Sequence, residues 1–228
     1  MKKIIIITGA NRGLGKALVD IGLKDENALI VSLSRSLHEE HKGISGTQLI
    51  FVKTDLSEPF SDSIFGIIDK KITPETNLYF FNNASIILPI DKIGSFNELD
   101  IATSINVNIQ YPVNLINFLL GEFPKNRSVL VNISSGAGNN PIPYWSLYGA
   151  AKAYMKLFFK VLEEEYKENS DLSFYSIDPG VLDTGMQESI RVNAFPKQDY
   201  FKSLKDDNKL IPAKDAAQRI FNEINYYI

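Results

Sequence analysis

The sequence predicts an α/β protein, a single domain built on a doubly wound parallel sheet with helices on both faces. Three observations carry the prediction. Residues 3–7 form a β-branched run, Ile4 to Ile7 within it, that stops at a glycine-rich turn, as a strand buried on both faces does. Apolar runs of strand length recur at 28–33, 48–52, 78–81, 128–133 and 172–177, and the stretches between them are long enough for crossover helices. No repeat, low-complexity tract or linker divides the 228 residues, so 1–228 reads as one domain.

The elements follow in order. Behind the first strand, Leu14, Ala17, Leu18, Ile21 and Gly22 recur at helical spacing, so the turn opens directly into a helix over 14–23. Further helices are expected at 61–71, 96–122, 144–168 and 213–225, the last opening behind Pro212. Pro112 lacks an amide donor and should kink the helix that contains it or mark a local break. Residues 182–210 are polar, carry Pro196 and lack sustained periodicity; they are read as a mobile lid over a substrate site.

Composition removes several classes of function. With 44% apolar and 22% charged residues the chain is an ordinary globular one, and disorder is excluded. At this length roughly 70% of the unfolded surface can be buried. The absence of cysteine excludes disulfides, thiolate catalysis and cysteine-ligated metals. A net charge of −3 offers no basic footprint for nucleic acid. The apolar run behind Met1-Lys2-Lys3 ends at Thr8-Gly9, too short for a signal peptide. No stretch reaches the roughly 18 to 20 apolar residues of a membrane helix, so a cytoplasmic protein is expected. His38 and His41 lack a third ligand nearby and are read as surface residues; no metal site is expected.

Thr8-Gly9-Ala10-Asn11-Arg12-Gly13-Leu14-Gly15 sets three glycines between a buried strand and a helix. Glycine permits the tight turn and a close approach of backbone to a pyrophosphate, while the helix N-terminus presents free amides to it. The spacing Gly-x-x-x-Gly-x-Gly differs from the commoner Gly-x-Gly-x-x-Gly, but the strand–loop–helix context is that of a Rossmann-type dinucleotide site. The second strand ends in Leu33-Ser34-Arg35-Ser36, with no acid for a ribose 2′-hydroxyl. A guanidinium there, with Arg12 in reach, suits a 2′-phosphate, which favours NADPH over NADH. Asp55, just past the third strand, fits an acceptor for the adenine amino group.

Tyr148 and Lys152 stand four residues apart on an expected helix, hence on one face. A neighbouring ammonium favours phenolate and should lower the tyrosine from about 10 toward the working range of a general acid. Ser135, at a strand end thirteen residues before Tyr148, can polarise a carbonyl oxygen.

With these motifs the chain resembles the short-chain dehydrogenase/reductases over almost its whole length. Thr8-Gly9-x-x-x-Gly13-x-Gly15, Asp55-Leu56, Asn82-Asn83-Ala84, Asn108, Ser135, Tyr148 with Lys152, and Pro179-Gly180 stand in the family's order. The resemblance implies that Tyr148 gives a proton to a carbonyl oxygen while a hydride leaves the nicotinamide, that Ser135 steadies the oxygen, that Lys152 also binds the nicotinamide ribose, and that Asn108 holds a relay water. It assigns Gly9, Asn11, Arg12, Gly13, Leu14, Gly15, Arg35, Asp55, Leu56, Asn83, Ala84, Pro179, Gly180, Val181 and Thr184 to the coenzyme, together with Tyr148 and Lys152. More narrowly, Ser134 to Pro141, Trp145 and Pro179 to Gln187 look like the sepiapterin reductase and benzil reductase branch, with Gly136, Trp145 and Met186 facing substrate.

Two departures stand out. The family's Asn-Asn-Ala-Gly is Asn82-Asn83-Ala84-Ser85, tolerable unless the backbone there needs positive φ. The sequence ends at Ile228, where relatives continue into a seventh strand that in sepiapterin reductase carries the pterin-gripping Asp. A six-stranded sheet and a homodimer through the Asn108 and Tyr148 helices are the implied outcome. The expected function is NADPH-dependent reduction of a small-molecule ketone or α-diketone, aromatic ones such as benzil included, or of a pterin side-chain carbonyl. Alternatives are an NAD-dependent alcohol dehydrogenase of the same family and a non-catalytic nucleotide sensor.

Overall fold

The computed structural model describes residues 2–226 apart from 45, 67, 69 and 70. Its six apolar runs become six strands: β1 Lys3–Thr8, β2 Ala28–Ser34, β3 Leu49–Lys53, β4 Asn77–Asn82, β5 Ser128–Ile133 and β6 Leu172–Ile177. They pair in parallel in the order β3-β2-β1-β4-β5-β6. Chain direction through the sheet reverses between β1 and β4, and in such sheets ligands bind beyond the carboxyl ends of the strands at that reversal.

The period of two in a strand explains why four isoleucines in a row are needed in β1. Ile4 to Ile7 are all 0% exposed. Ile5 and Ile7 face one core, shared with Leu18 and Ile21 of α1 (Gly13–Gly22) and Ile220 and Phe221 of α7 (Ala213–Glu223). Ile4 and Ile6 face the other, against Leu115 of α3 (Tyr111–Glu122) and Met155 and Phe159 of α4 (Ser146–Glu165). Burying each such side chain is worth roughly 1.5–3 kcal/mol, which fixes the central strand as the rigid base of the site. β6, by contrast, is half-buried over most of its length.

The chain end is tied to the opposite pole of β1. The Lys3 ammonium (2.6 Å) and the Tyr226 hydroxyl (2.7 Å) both donate to Oδ2 of Asp25, which is buried behind α1. Burial pushes that carboxyl up, but the bonds from Lys3, Tyr226 and the Asn27 amide outweigh it and hold Asp25 below the usual carboxylate range.

Three expectations are corrected and one, the helix over 96–122 with its break at Pro112, is refined. The helix expected at 61–71 is a 3-10 turn, Asp62–Phe65, while residues 67, 69 and 70 of that stretch lie outside the described residues. The helix expected at 96–122 is α2 (Glu98–Ile105) and α3 joined by a π-turn, Asn106–Gln110, in which the Tyr111 amide bonds the Asn106 carbonyl. Pro112, in the first turn of α3, is the cause, because it has no amide for the carbonyl four residues back. Residues 182–210 are not aperiodic: they hold α5 (Gly185–Val192) and α6 (Gln198–Asp206). Helices this short, with Ile190 and Phe201 as their buried apolar anchors, escape an 11- to 18-residue periodicity window. The excursion is closed at its base by a bridge between Leu182 and Ile211. Finally, His41 is buried, its Nε2 2.7 Å from Asp20 Oδ1, while no group of three metal-ligating side chains occurs among the described residues. No helix among them is long and apolar enough to cross a membrane.

Candidate active site

A cavity of about 820 Å³ opens along the carboxyl ends of the strands. At one end lies the glycine loop. Gly9 has φ +65°, a left-handed conformation that side chains rarely adopt, and a Cβ there would lie 3.0 Å from the Ala84 Cα. A Cβ at Gly15 would lie 2.1 Å from the Gly9 carbonyl oxygen, so only glycine permits this crossing of loop and helix. The end of β4 clamps the loop. The Thr8 hydroxyl accepts from the amides of Asn83 and Ala84, each at 3.0 Å, and Asn83 Nδ2 donates to the Thr8 carbonyl at 2.8 Å. Arg12, the residue ahead of α1, makes no side-chain cap, so the first amides of the helix keep their capacity for an anion. A backbone cradle that a Cβ would fill, backed by an uncapped helix start, fits a dinucleotide.

Arg35 is exposed at the end of β2 and lines this same end, with Arg12, Leu14 and Leu56. Asp55 also lines it while capping a turn. Its Oδ1 accepts from the Ser57 amide at 3.0 Å and the Ser57 hydroxyl at 2.7 Å, and these bonds, with the Arg35 charge, hold the carboxyl below its ordinary range.

The chemistry-bearing side chains meet midway. Ser135, just past β5, accepts from the Ala137 amide at 3.2 Å and so starts the 3-10 turn Gly136–Gly138. Tyr148 on α4 lines the same cavity, near enough for this hydroxyl to act on its phenol. Lys152, one turn further, donates to the Ile133 carbonyl at 2.8 Å and lies 5.6 Å from the Tyr148 ring centroid. The helix therefore places both on one face, as its spacing predicts. The expected lowering of the tyrosine is corrected. Burial pushes the Tyr148 phenol up to about 12, the Ser135 hydroxyl acts to lower it, and the charge of Asp178 pushes it up again. Burial pulls the Lys152 ammonium down to about 8, against Asp178, which holds it up. Lys152 spends its hydrogen bond on backbone, and desolvation decides both groups.

Every residue the sequence assigns to coenzyme or substrate lines the one cavity, including Gly13, Asn11, Ala84, Pro179, Gly180, Val181, Thr184, Gly136, Trp145 and Met186. Asn108 does not. Buried in the π-turn, its Oδ1 accepts from the Ser85 hydroxyl (2.8 Å) and the Ile86 amide (3.0 Å), and its Nδ2 donates to the Ile86 carbonyl (2.9 Å) and Ser104 Oγ (3.3 Å). All four bonding capacities of the amide are used, so its side chain secures the loop behind β4. Ser85 thus earns its hydroxyl, and it is not among the residues with positive φ.

Sequence reasoning misses several residues that shape the site. Asp178 follows β6 directly, lines the cavity, and accepts from the Gly180 amide at 2.9 Å. Its signal was a carboxylate at a strand end. Phe201 of α6 stacks on Trp145 with ring centroids 5.1 Å apart, and Trp145 meets Tyr148 edge-on at 5.8 Å. Below the site, Asn132 of β5 and Ser176 of β6 pair side by side with Asn82 of the Asn82-Asn83-Ala84 motif, with bonds of 3.1 and 3.0 Å. Asparagines inside apolar runs signalled that ladder.

Comparison with known proteins agrees with this layout. The family model described as short chain dehydrogenase matches residues 3–194. The chain is 29% identical over a 236-residue alignment to the benzil reductase ((S)-benzoin forming) of Bacillus cereus, covering 96% of this chain and 93% of that one. It is 27% identical to the sepiapterin reductase of Xenopus tropicalis, covering 96% and 90%. The solved structure of ElxO with NADP bound superposes with a TM-score of 0.77 at 26% identity, covering 97% of this chain and 90% of that one.

Proposed function

The chain belongs to the short-chain dehydrogenase family, and from that premise we propose that it is an NADPH-dependent carbonyl reductase acting on ketones or α-diketones, with Tyr148 as proton donor. The observation that carries this reading is the convergence of Tyr148, Ser135 and Lys152 on one cavity with the glycine cradle. When bound, the nicotinamide coenzyme supplies the hydride. The loop from Gly9 to Gly15 and the start of α1 would hold its pyrophosphate, Arg35 and Arg12 its 2′-phosphate, and the Pro179–Val181 turn with Thr184 its carboxamide end. Ser135 Oγ already accepts from the Ala137 amide, which leaves its O–H to donate to the substrate oxygen. Tyr148 delivers its phenolic proton to that same oxygen. Apolar and aromatic walls from Ile87, Trp145, Met186 and Phe201 suit flat, apolar substrates.

The direct test is consumption of NADPH by the purified protein with benzil; no turnover with benzil or any of a panel of ketones sinks the reading. Coenzyme choice is tested separately. Arg35→Ala should weaken NADPH binding by about 10- to 100-fold, the worth of a charge-assisted bond to phosphate, and leave NADH binding unchanged. Equal losses for both coenzymes would remove Arg35 from the phosphate.

We also propose a homodimer through α2 and α4. Leu99 is 75% and Ile105 42% exposed on α2, while Tyr154 (46%), Leu157 (64%) and Val161 (44%) form a stripe on α4. Light scattering should give twice the chain mass, and Leu157→Glu should return it to the monomer; a monomeric wild type contradicts the proposal.

A further inference from the structure

Two polar groups in the apolar half of the cavity have no partner among the described residues. Gln187 is 2% exposed, and neither Nε2 nor Oε1 of its amide meets a hydrogen-bond partner among the described residues. Trp145, 5% exposed, presents an indole N–H in the same condition. Both residues line the cavity, among the side chains of Ile87, Ile142, Ile190 and Phe201. Burying an amide without a partner is costly, and leucine or methionine at 187 would fill the same space without that cost. A group from outside the chain is the natural complement.

The position of the pair narrows the chemistry. Trp145 stands one helical turn before Tyr148, and the two rings meet edge-on with centroids 5.8 Å apart. Gln187 lies on α5 beside Met186, in the wall facing the same space. An indole nitrogen only donates, and a primary amide donates through Nε2, so the cavity wall holds two donors in want of an acceptor; Oε1 adds an acceptor for a hydroxyl. We propose that Trp145 Nε1 and the Gln187 amide form a second polar anchor, which binds an oxygen on the carbon next to the carbonyl being reduced and so selects α-dicarbonyl and α-hydroxy ketones over simple ketones of the same shape. The proposal rests on the carbonyl reductase reading and sharpens it. A site built to bond an oxygen rejects the analogue that lacks it, because its buried groups are then stranded.

Benzil and deoxybenzoin have the same two rings and differ by one carbonyl oxygen. The ratio of their kcat/KM values in wild type absorbs their different intrinsic reactivity, and the change of that ratio in variants reads the anchor alone. Gln187→Leu and Trp145→Phe should each lower the benzil-to-deoxybenzoin ratio by at least about tenfold, with deoxybenzoin turnover rising in the leucine variant. A ratio unchanged in both variants overturns the proposal. Binding supplies a readout that needs no turnover and no variant. Trp145 is the chain's single tryptophan, so its fluorescence reports the site directly. Benzil should quench it at a concentration at least about tenfold lower than deoxybenzoin does, and equal affinities overturn the anchor. If wild type reduces neither ketone but still binds benzil preferentially, the reductase reading fails and the anchor stands.

Discussion

Replacing Tyr148 by phenylalanine should lower the kcat of carbonyl reduction by about 10²- to 10⁴-fold, the usual contribution of a positioned general acid. The substitution removes one hydroxyl, while the ring keeps its edge-on contact with Trp145 and its place in the apolar cluster. A folded protein with unchanged circular dichroism is therefore expected, and turnover like that of wild type would end the assignment of the proton to Tyr148. The pH profile tests the same groups without mutation. With the phenol pushed up to about 12, Tyr148 keeps its proton across the neutral range and stands ready to give it to a substrate. Lys152, drawn down to about 8, is an ammonium below that pH and loses its charge above it. Reduction, measured as kcat/KM for the coenzyme, should accordingly be level on the acid side and decline as pH rises through about 8. Oxidation of the corresponding alcohol needs the phenolate and should instead rise with pH. A reduction profile that climbs above pH 8 would contradict the protonation states assigned to both groups.

How much of this was legible in the sequence depends on the range of the interaction involved. Strands and the helix behind the glycine loop are written in local patterns, and β1 with α1 stands within a residue of the expected bounds. The glycine cradle was legible too, because a missing Cβ is a statement about backbone, which sequence position fixes. Short helices were not. α5 and α6 depend on Ile190 and Phe201 reaching a cluster built from the loop after β4, the turn after β5 and the start of α4, and no window along the chain contains that partner. Ionisation was legible only in part. The Tyr148–Lys152 spacing correctly puts both groups on one face, but the sign of the tyrosine shift follows from depth of burial, a property of the whole fold. Gln187 reads in sequence as an ordinary polar residue of a polar segment; only its enclosure in the wall of the cavity that Trp145 also lines gives it meaning.

Gly15→Ala should abolish measurable coenzyme binding, a loss exceeding about 100-fold, and destabilise the fold by about 1–3 kcal/mol. The added methyl would lie 2.1 Å from the Gly9 carbonyl oxygen, 2.8 Å from its carbonyl carbon and 2.6 Å from Asn83 Nδ2. Two of these are backbone atoms and cannot rotate away. Relief requires the loop to lift from α1, and that movement pulls on Asn83, whose Nδ2 ties β4 to the carbonyls of Thr8 (2.8 Å) and Gly9 (3.3 Å). The cradle would therefore be lost as a unit, phosphate-facing amides included. Gly121 is the matched control. It stands near the end of α3, a Cβ there meets nothing within 4 Å, and alanine is the better helix former by up to about 1 kcal/mol. Gly121→Ala should leave coenzyme binding unchanged and hold or raise the midpoint of thermal unfolding. NADPH should raise that midpoint in wild type and in Gly121→Ala by mass action on the folded state, and should not raise it in Gly15→Ala. A full NADPH-induced shift in the Gly15 variant would mean that the coenzyme phosphates do not use this loop, and the assignment of the whole cavity would fall with it.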